Sequence, residues 1–397
     1  MNIYKSLETY KGTRPLHINL VASENILPED AKLPYNLDLL NRYVFESTKQ
    51  LYFPGRTGLY DLESSCCNLT AELLEAKYVS LKPISGLNAM TCIMGIFTKP
   101  NTIIYSINPK YGGHHATRYM LENMGRISRY IPFNEEKKEI DLEKFEEDIK
   151  NEAPAMIYID FMNVLHDLDV RGLRQLIGKR TYWVYDASHV MALIMGKCYK
   201  NPLNTGADIL IGTTHKTIPG PHKAIFATNN PILNRLFNLR NGSFISSQHP
   251  ADIYALGIIL EGMKESFHEY AKTIISNARR LGSLLYEYGL PVIRIGKDFT
   301  DTHQLWIGDR KLNLYPFIDK LIKYKIMTNG LEIPYIENYG IRIGVQEVTF
   351  CGFKEQEIEE IALCIGNIYN GTDNALEARI FTLINSMNEH TYFKIIK

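Results

Sequence analysis

Short apolar, β-branched runs of strand length recur along the chain: TIIYSI (102–107), AMIYIDF (155–161), YWVYDA (182–187), DILIGT (208–213) and KAIFATN (223–229). Among and before them lie stretches with apolar residues at three- and four-residue spacing, ESSCCNLTAELLEAKYV (63–79), LEKFEEDIKNE (142–152) and VRGLRQLIGK (170–179), which predict helices. Strand alternating with helix predicts an α/β fold, a largely parallel sheet covered on both faces, and in such sheets ligands gather at strand ends. After a long helical stretch from about Pro250 to Tyr288 the pattern changes. LPVIRI, THQLWIG and YGIRIGVQEVT read as strands, and KEQEIEEIALCIGNIY and ALEARIFTLINSMN as helices. The chain is thus expected to comprise an arm over 1–30, a large domain over 31–276 and a smaller α+β domain over 277–397.

Composition narrows the partners. Lysine and arginine total 44 and aspartate and glutamate also 44, so no net field draws the protein to nucleic acid or an anionic membrane. The expected partner is a small molecule. Six cysteines show no Cys-x-x-Cys spacing and read as reduced thiols, which with an N-terminus lacking an apolar signal core points to a cytoplasmic protein. No run approaches the roughly 18 apolar residues of a membrane helix.

The stretch GTTHKTIPGPH (212–222) sets Lys216 just beyond an apolar strand, where its stem starts in the interior and its amine must be paired or chemically used. Thirty residues earlier, in VYDASH, Asp186 ends another strand and His189 follows. Alone, Asp186 reads as a carboxylate capping the next helix. Together, a lysine and an aspartate on neighbouring strand ends are the pair a pyridoxal phosphate enzyme requires, one to carry the aldehyde as a Schiff base and one to keep the pyridine nitrogen protonated. An anion site is then expected at a helix start. KPISGLNAMTCIMGIF (82–97) supplies a Ser-Gly entry into an apolar helix. No metal site is expected.

With these pieces in place the chain resembles the serine hydroxymethyltransferase family, of fold type I among pyridoxal phosphate enzymes. The matching segments occur in the family's order: NLVASEN (19–25), NRY (41–43), SG within PISGLNA, YGGHHAT (111–117), DASHV, TTHKTIPGP and GIRIGVQEVTFCGFKEQE (340–357). The resemblance implies a mostly parallel seven-stranded sheet flanked by helices. It implies that Lys216 binds the cofactor covalently, that Asp186 pairs with the pyridine nitrogen, that His189 approaches the phenolic oxygen, and that Ser85 and Gly86 bind the phosphate. It also implies that His114 stacks on the ring, that Arg342 takes the substrate carboxylate with help from Ser23 and Tyr52, and that Thr213 and His215 tune proton transfers at the lysine. An ordinary strand arginine on a solvent face is the other reading of Arg342. A homodimer follows by the same resemblance, with Tyr43 and the SFISSQH segment (243–249), including Ser246, Ser247 and Gln248, reaching the partner's phosphate site.

Departures from the family pattern bear on the reaction. Typical members carry Tyr-Ala-Glu after the Asn-[Arg/Lys]-Tyr position. Here YVFEST puts Phe45 where the acid belongs and Glu46 one residue late. The paired tyrosines become Tyr52 and Phe53, Leu87 replaces a phosphate-binding hydroxyl, His115 a leucine, and Met162 falls near a serine position. GPHKA stands where GPRGG is typical. The main expectation is an enzyme making or breaking the Cα–Cβ bond of a small β-hydroxy amino acid, as in serine/glycine interconversion, with the use of tetrahydrofolate left open. Glu46, His114 and Thr213 are the candidate bases at the hydroxyl. A folate-independent threonine aldolase or transaldolase is the alternative, and a pyridoxal phosphate protein kept for regulation is the reading from another class.

Overall fold

The computed structural model describes every residue except 1, 14–16, 45, 48, 49, 52–55, 168, 169, 171, 297, 310, 337, 338, 373, 374 and 395–397. The chain divides into two compact units, Met1–Glu24 with Thr273–Thr391, and Asn25–Lys272 with Tyr392–Lys397.

The second unit is built in the order α1 (Thr57–Leu74), β1 (Tyr78–Ser80), α2 (Gly86–Phe97), β2 (Ile103–Ser106), α3 (His115–Asn123), β3 (Ile127–Tyr130), α4 (Leu142–Asn151), β4 (Met156–Ile159), β5 (Tyr182–Asp186), β6 (Ile209–Thr213), β7 (Ala224–Thr228) and α5 (Pro250–Met263). The strands form one seven-stranded sheet in the order β1-β7-β6-β5-β4-β2-β3. β7 alone runs against its neighbours β6 and β1, and the other pairings are parallel. The expected mostly parallel seven-stranded α/β sheet is therefore present. Because β5 and β6 are parallel, with Asp186 opposite Ile211, their C-terminal ends open at one edge of the sheet.

The core lies where α2 crosses the sheet. Seven of its twelve residues are buried, from Ala89 to Phe97, against Ile104, Met156, Val184, Ile209, Ile211 and Phe226 on the strands. Each large side chain buried this way contributes about 1.5–3 kcal/mol. The helix starts where it does because the Ser85 hydroxyl accepts the Asn88 N–H at 3.2 Å, an N-cap that fixes this helix start.

Four expectations need correction. The YGIRIGVQEVT strand stops at Gly344, and Gln346–Phe350 is a short helix. The 63–79 helix begins earlier and stops at Leu74, where Glu75 turns into the left-handed region, and Tyr78–Ser80 becomes the edge strand β1. The 170–179 helix shrinks to Leu173–Leu176, between Gly172 at its N-cap and Ile177, where the backbone turns extended. LPVIRI makes only the single bridge Val292–Ile307, because Pro291 has no N–H to give a ladder.

In the first unit β8 (Gln304–Ile307), β9 (Asn329–Glu332) and β10 (Tyr339–Gly344) form an antiparallel sheet in the order β8-β10-β9. Arg342 sits on the central strand between Trp306 and Asn329. The VASEN segment runs beside that strand: Val21 bridges Ile343, and the Gly344 N–H donates to the Leu20 carbonyl at 2.8 Å.

Candidate active site

Lys216 lies in the connection of the β6–β7 hairpin. Thr214 closes this loop on itself. Its hydroxyl donates to the Pro221 carbonyl at 2.6 Å and accepts the Lys223 N–H at 3.2 Å, and its carbonyl accepts the Gly220 N–H at 3.0 Å. The half-buried Lys216 amine stands 3.0 Å from His189 Nε2. Such a contact needs a proton on one partner and a lone pair on the other. His215 beside it is pulled down to about 3 by burial first and then by His222 and Lys216. Its ring, stacked on His222 at 3.9 Å, is neutral at physiological pH.

Asp186 projects from the adjacent strand end with both oxygens engaged. One accepts the Ser188 N–H at 3.0 Å and the Ser188 hydroxyl at 2.5 Å, the other the Tyr158 hydroxyl at 2.9 Å. The same Ser188 hydroxyl accepts the Thr213 N–H at 3.1 Å, which couples the aspartate loop to the strand that leads to the lysine. Desolvation and the Asp186 charge hold the Tyr158 phenol well above its ordinary pKa, so it remains a donor.

Ser85 and Gly86 come to the same edge. A β-carbon on Gly86 would fall 2.6 Å from Thr213 Cγ2, so only glycine lets this helix start approach the end of β6 so closely. His114 is placed by the double glycine before it. Gly112, at φ +104°, brings its backbone onto the 161–163 loop, where a β-carbon would meet the Asn163 carbonyl oxygen at 2.3 Å. The His114 Nδ1 accepts the Ala116 N–H at 3.2 Å and caps α3, which leaves the proton on Nε2. His115 stacks on it at 4.8 Å. Beneath this loop lies the buried Asp160, which accepts the Thr117 hydroxyl and the Ile107 N–H and which burial pushes well above the usual carboxylate range.

The other expected residues fall as follows. Glu46 is in the short strand Glu46–Ser47, while Phe45, Tyr52 and Phe53 lie outside the described residues. The Tyr43 and Ser246 hydroxyls meet at 2.5 Å on the surface, Ser247 is half-buried, and Gln248 is turned inward with its amide on Glu63. In the first unit Arg342 is only 4% exposed, which rules out the solvent-face reading, and burial draws its pKa down to about 10. The Ser23 segment next to its strand is braced by His303 on the Ala22 carbonyl at 3.0 Å and by Gln346 on the Val21 carbonyl at 2.8 Å.

Sequence reasoning missed Asn25. Its side-chain amide donates to the Lys216 carbonyl at 2.7 Å and to the Tyr270 hydroxyl at 3.2 Å, and that hydroxyl donates to the Thr217 carbonyl at 3.0 Å. The last residue of VASEN is thus a tether on the lysine's backbone. Asn25→Ala leaves partly buried polar groups unsatisfied and is expected to lower unfolding stability by about 1–3 kcal/mol in urea titrations, with a parallel fall in kcat.

An amine, an oriented carboxylate and a glycine-opened helix start converge on one sheet edge, and these are the three groups pyridoxal phosphate asks for. Residues 1–365 match the serine hydroxymethyltransferase family. The chain belongs to that family. Its relatives include an L-threonine:uridine-5'-aldehyde transaldolase of a Streptomyces species, 34% identical over 357 residues that span 87% of this chain and 86% of that protein. They also include the serine hydroxymethyltransferase of Archaeoglobus fulgidus, 30% identical over 371 residues, 91% of this chain and 85% of that one. The fold superposes on L-threonine transaldolase from Pseudomonas fluorescens in its internal aldimine state, with a TM-score of 0.87 and 25% identity over 98% of this chain and 91% of the other. This family member is therefore a pyridoxal phosphate-dependent enzyme of the aldolase and transferase type.

Proposed function

We propose that this enzyme is a folate-independent L-threonine transaldolase, which breaks the Cα–Cβ bond of threonine and passes the glycyl unit to a second aldehyde. The observation that carries this reading is Phe45 at the place of the family's glutamate. A hydrocarbon ring cannot exchange the proton that folate chemistry needs at that point. Relatives named as transaldolases accord with it.

When bound, pyridoxal phosphate supplies an electron sink for charge developing at Cα. In this reading Lys216 anchors it and Asp186 faces its nitrogen, while His189 stands at its phenolic oxygen. Ser85 and Gly86 hold its phosphate, Arg342 with Ser23 holds the amino-acid carboxylate, and His114 lies against the ring. Thr213 and His215 sit at the lysine, and His215, kept neutral by burial, adds no second positive charge beside the amine. Serine/glycine interconversion, the main sequence expectation, is the second reading, favoured by Glu46 standing one residue from Phe45.

Homodimerisation belongs to the same proposal. A groove of about 800 Å³ in the second unit is lined by Leu33, Leu37, Leu62, Leu69 and Ile258. Leu33, Leu37 and Leu62 are 57%, 52% and 46% exposed, apolar area that a second copy would cover. No disulfide joins the six cysteines, in keeping with a cytoplasmic setting.

Purified enzyme given L-threonine is expected to release acetaldehyde without tetrahydrofolate. Adding an acceptor aldehyde such as uridine-5'-aldehyde should speed the release on the order of tenfold, as expected when the acceptor drains the glycyl intermediate. Activity on serine that appears only with tetrahydrofolate would overturn this assignment in favour of the hydroxymethyltransferase.

A further inference from the structure

Where relatives typically read GPRGG, this chain has a lysine, Lys223, with no exposed surface at all. A fully buried ammonium is costly unless its protons are used. Here Nζ donates to the Gln248 carbonyl at 2.8 Å and to the Lys82 carbonyl at 3.4 Å. The Gln248 amide in turn donates to the Glu63 carboxylate at 2.5 Å. Gln248 is therefore gripped at its main chain from the residue just before β7 and at its side chain from α1. On one side of it His249 takes the left-handed conformation, at φ +50°, and Pro250 opens α5. On the other side Ser246 meets the Tyr43 hydroxyl. Burial lowers the Lys223 pKa to about 8, with Asp252, Glu63 and Cys67 pulling it back up, so the ammonium persists at neutral pH.

We propose that Lys223 is a positioning residue that sets the 246–248 segment in the shape that presents Ser246 and Ser247 to the cofactor phosphate of the partner subunit in a homodimer. This rests on the reading, made above, that the segment serves a phosphate. Lys223 itself does not touch the cofactor. It replaces the backbone freedom of a glycine with a charged clamp on the carbonyl two residues before the α5 helix, and charge-assisted bonds of this kind hold a main-chain position more firmly than neutral ones.

The test compares pyridoxal phosphate with pyridoxal, the same ring without the phosphate, in the full-length protein. Lys223→Met, which keeps the buried stem and removes the donors, is expected to weaken pyridoxal phosphate binding about 10- to 100-fold while pyridoxal affinity stays unchanged. Lys223→Gln retains one donor and should show the same selective loss, smaller in size. It is the variant to read if Lys223→Met does not fold. Equal losses for both ligands, or undiminished pyridoxal phosphate affinity in a folded variant, would overturn the role of Lys223. The Ser246→Ala/Ser247→Ala double variant separates this from failure of the underlying reading. If it binds pyridoxal phosphate as tightly as the parent, the segment serves no phosphate and both ideas fall. If it shows the selective loss and Lys223→Met does not, only the clamp falls.

Discussion

Lys216→Ala is expected to abolish the visible absorbance band of the lysine-bound cofactor and to lower turnover by on the order of 10⁴-fold or more, the scale seen when a nucleophile and its proton transfers are lost together. The structure says why nothing nearby substitutes. His189 lies within 3.0 Å of the amine but is an imidazole held in place, and His215 is depressed to about 3 and stacked on His222. Lys223 is buried and tied to two carbonyls. The variant should keep its fold, since the loop is closed by Thr214 rather than by the lysine side chain. Circular dichroism and a thermal melt check that point, and spectrophotometry of the reconstituted protein checks the band. A folded Lys216→Ala protein that still shows the band would remove the lysine from its assigned role.

Arg342→Met should behave differently. On our reading its guanidinium receives the amino-acid carboxylate, so the cofactor band persists while kcat/KM for the amino acid falls about 10²- to 10³-fold, the usual cost of deleting one partner of a buried charge pair. The sign of its pKa shift fits: burial alone draws the group down to about 10, so it is still charged at neutral pH, and an arriving carboxylate relieves the desolvation it already bears. Arg342→Lys should recover only part of the loss, because a point charge lacks the planar fork. Steady-state kinetics on both variants give the answer, and parallel loss of the cofactor band would point to a structural role for Arg342 instead.

Much of the second unit was legible because its inner strands β2, β4, β5, β6 and β7 are short runs of large apolar residues, buried along their whole length or nearly so. The edges were not. β1 is three residues long and continues the apolar spacing of the helix before it, and β3, ISRY, alternates exposed with half-buried positions and carries an arginine. The chemistry of Lys216 and Asp186 could be suspected from their strand ends, but the companions of the pair came through family resemblance. Asn25 and Lys223 escaped because both act on main-chain carbonyls far away in sequence. No local pattern marks an asparagine that holds Lys216 across 191 positions, or distinguishes a lysine that will be buried from one that will be solvated.

The reversed strand β7 has a consequence for the order of assembly. Pairings between segments close in sequence form sooner than pairings between distant ones, because less chain entropy is lost in closing the loop. The β6–β7 hairpin is the most local pairing in its sheet, joined by residues 214–223 alone, whereas β1 must find β7 across most of the unit. The lysine loop can therefore take its shape early in folding. Sealing Lys223 between Lys82 and Gln248 has to wait for β1 to arrive, so the charged clamp is among the last features of the site to be completed.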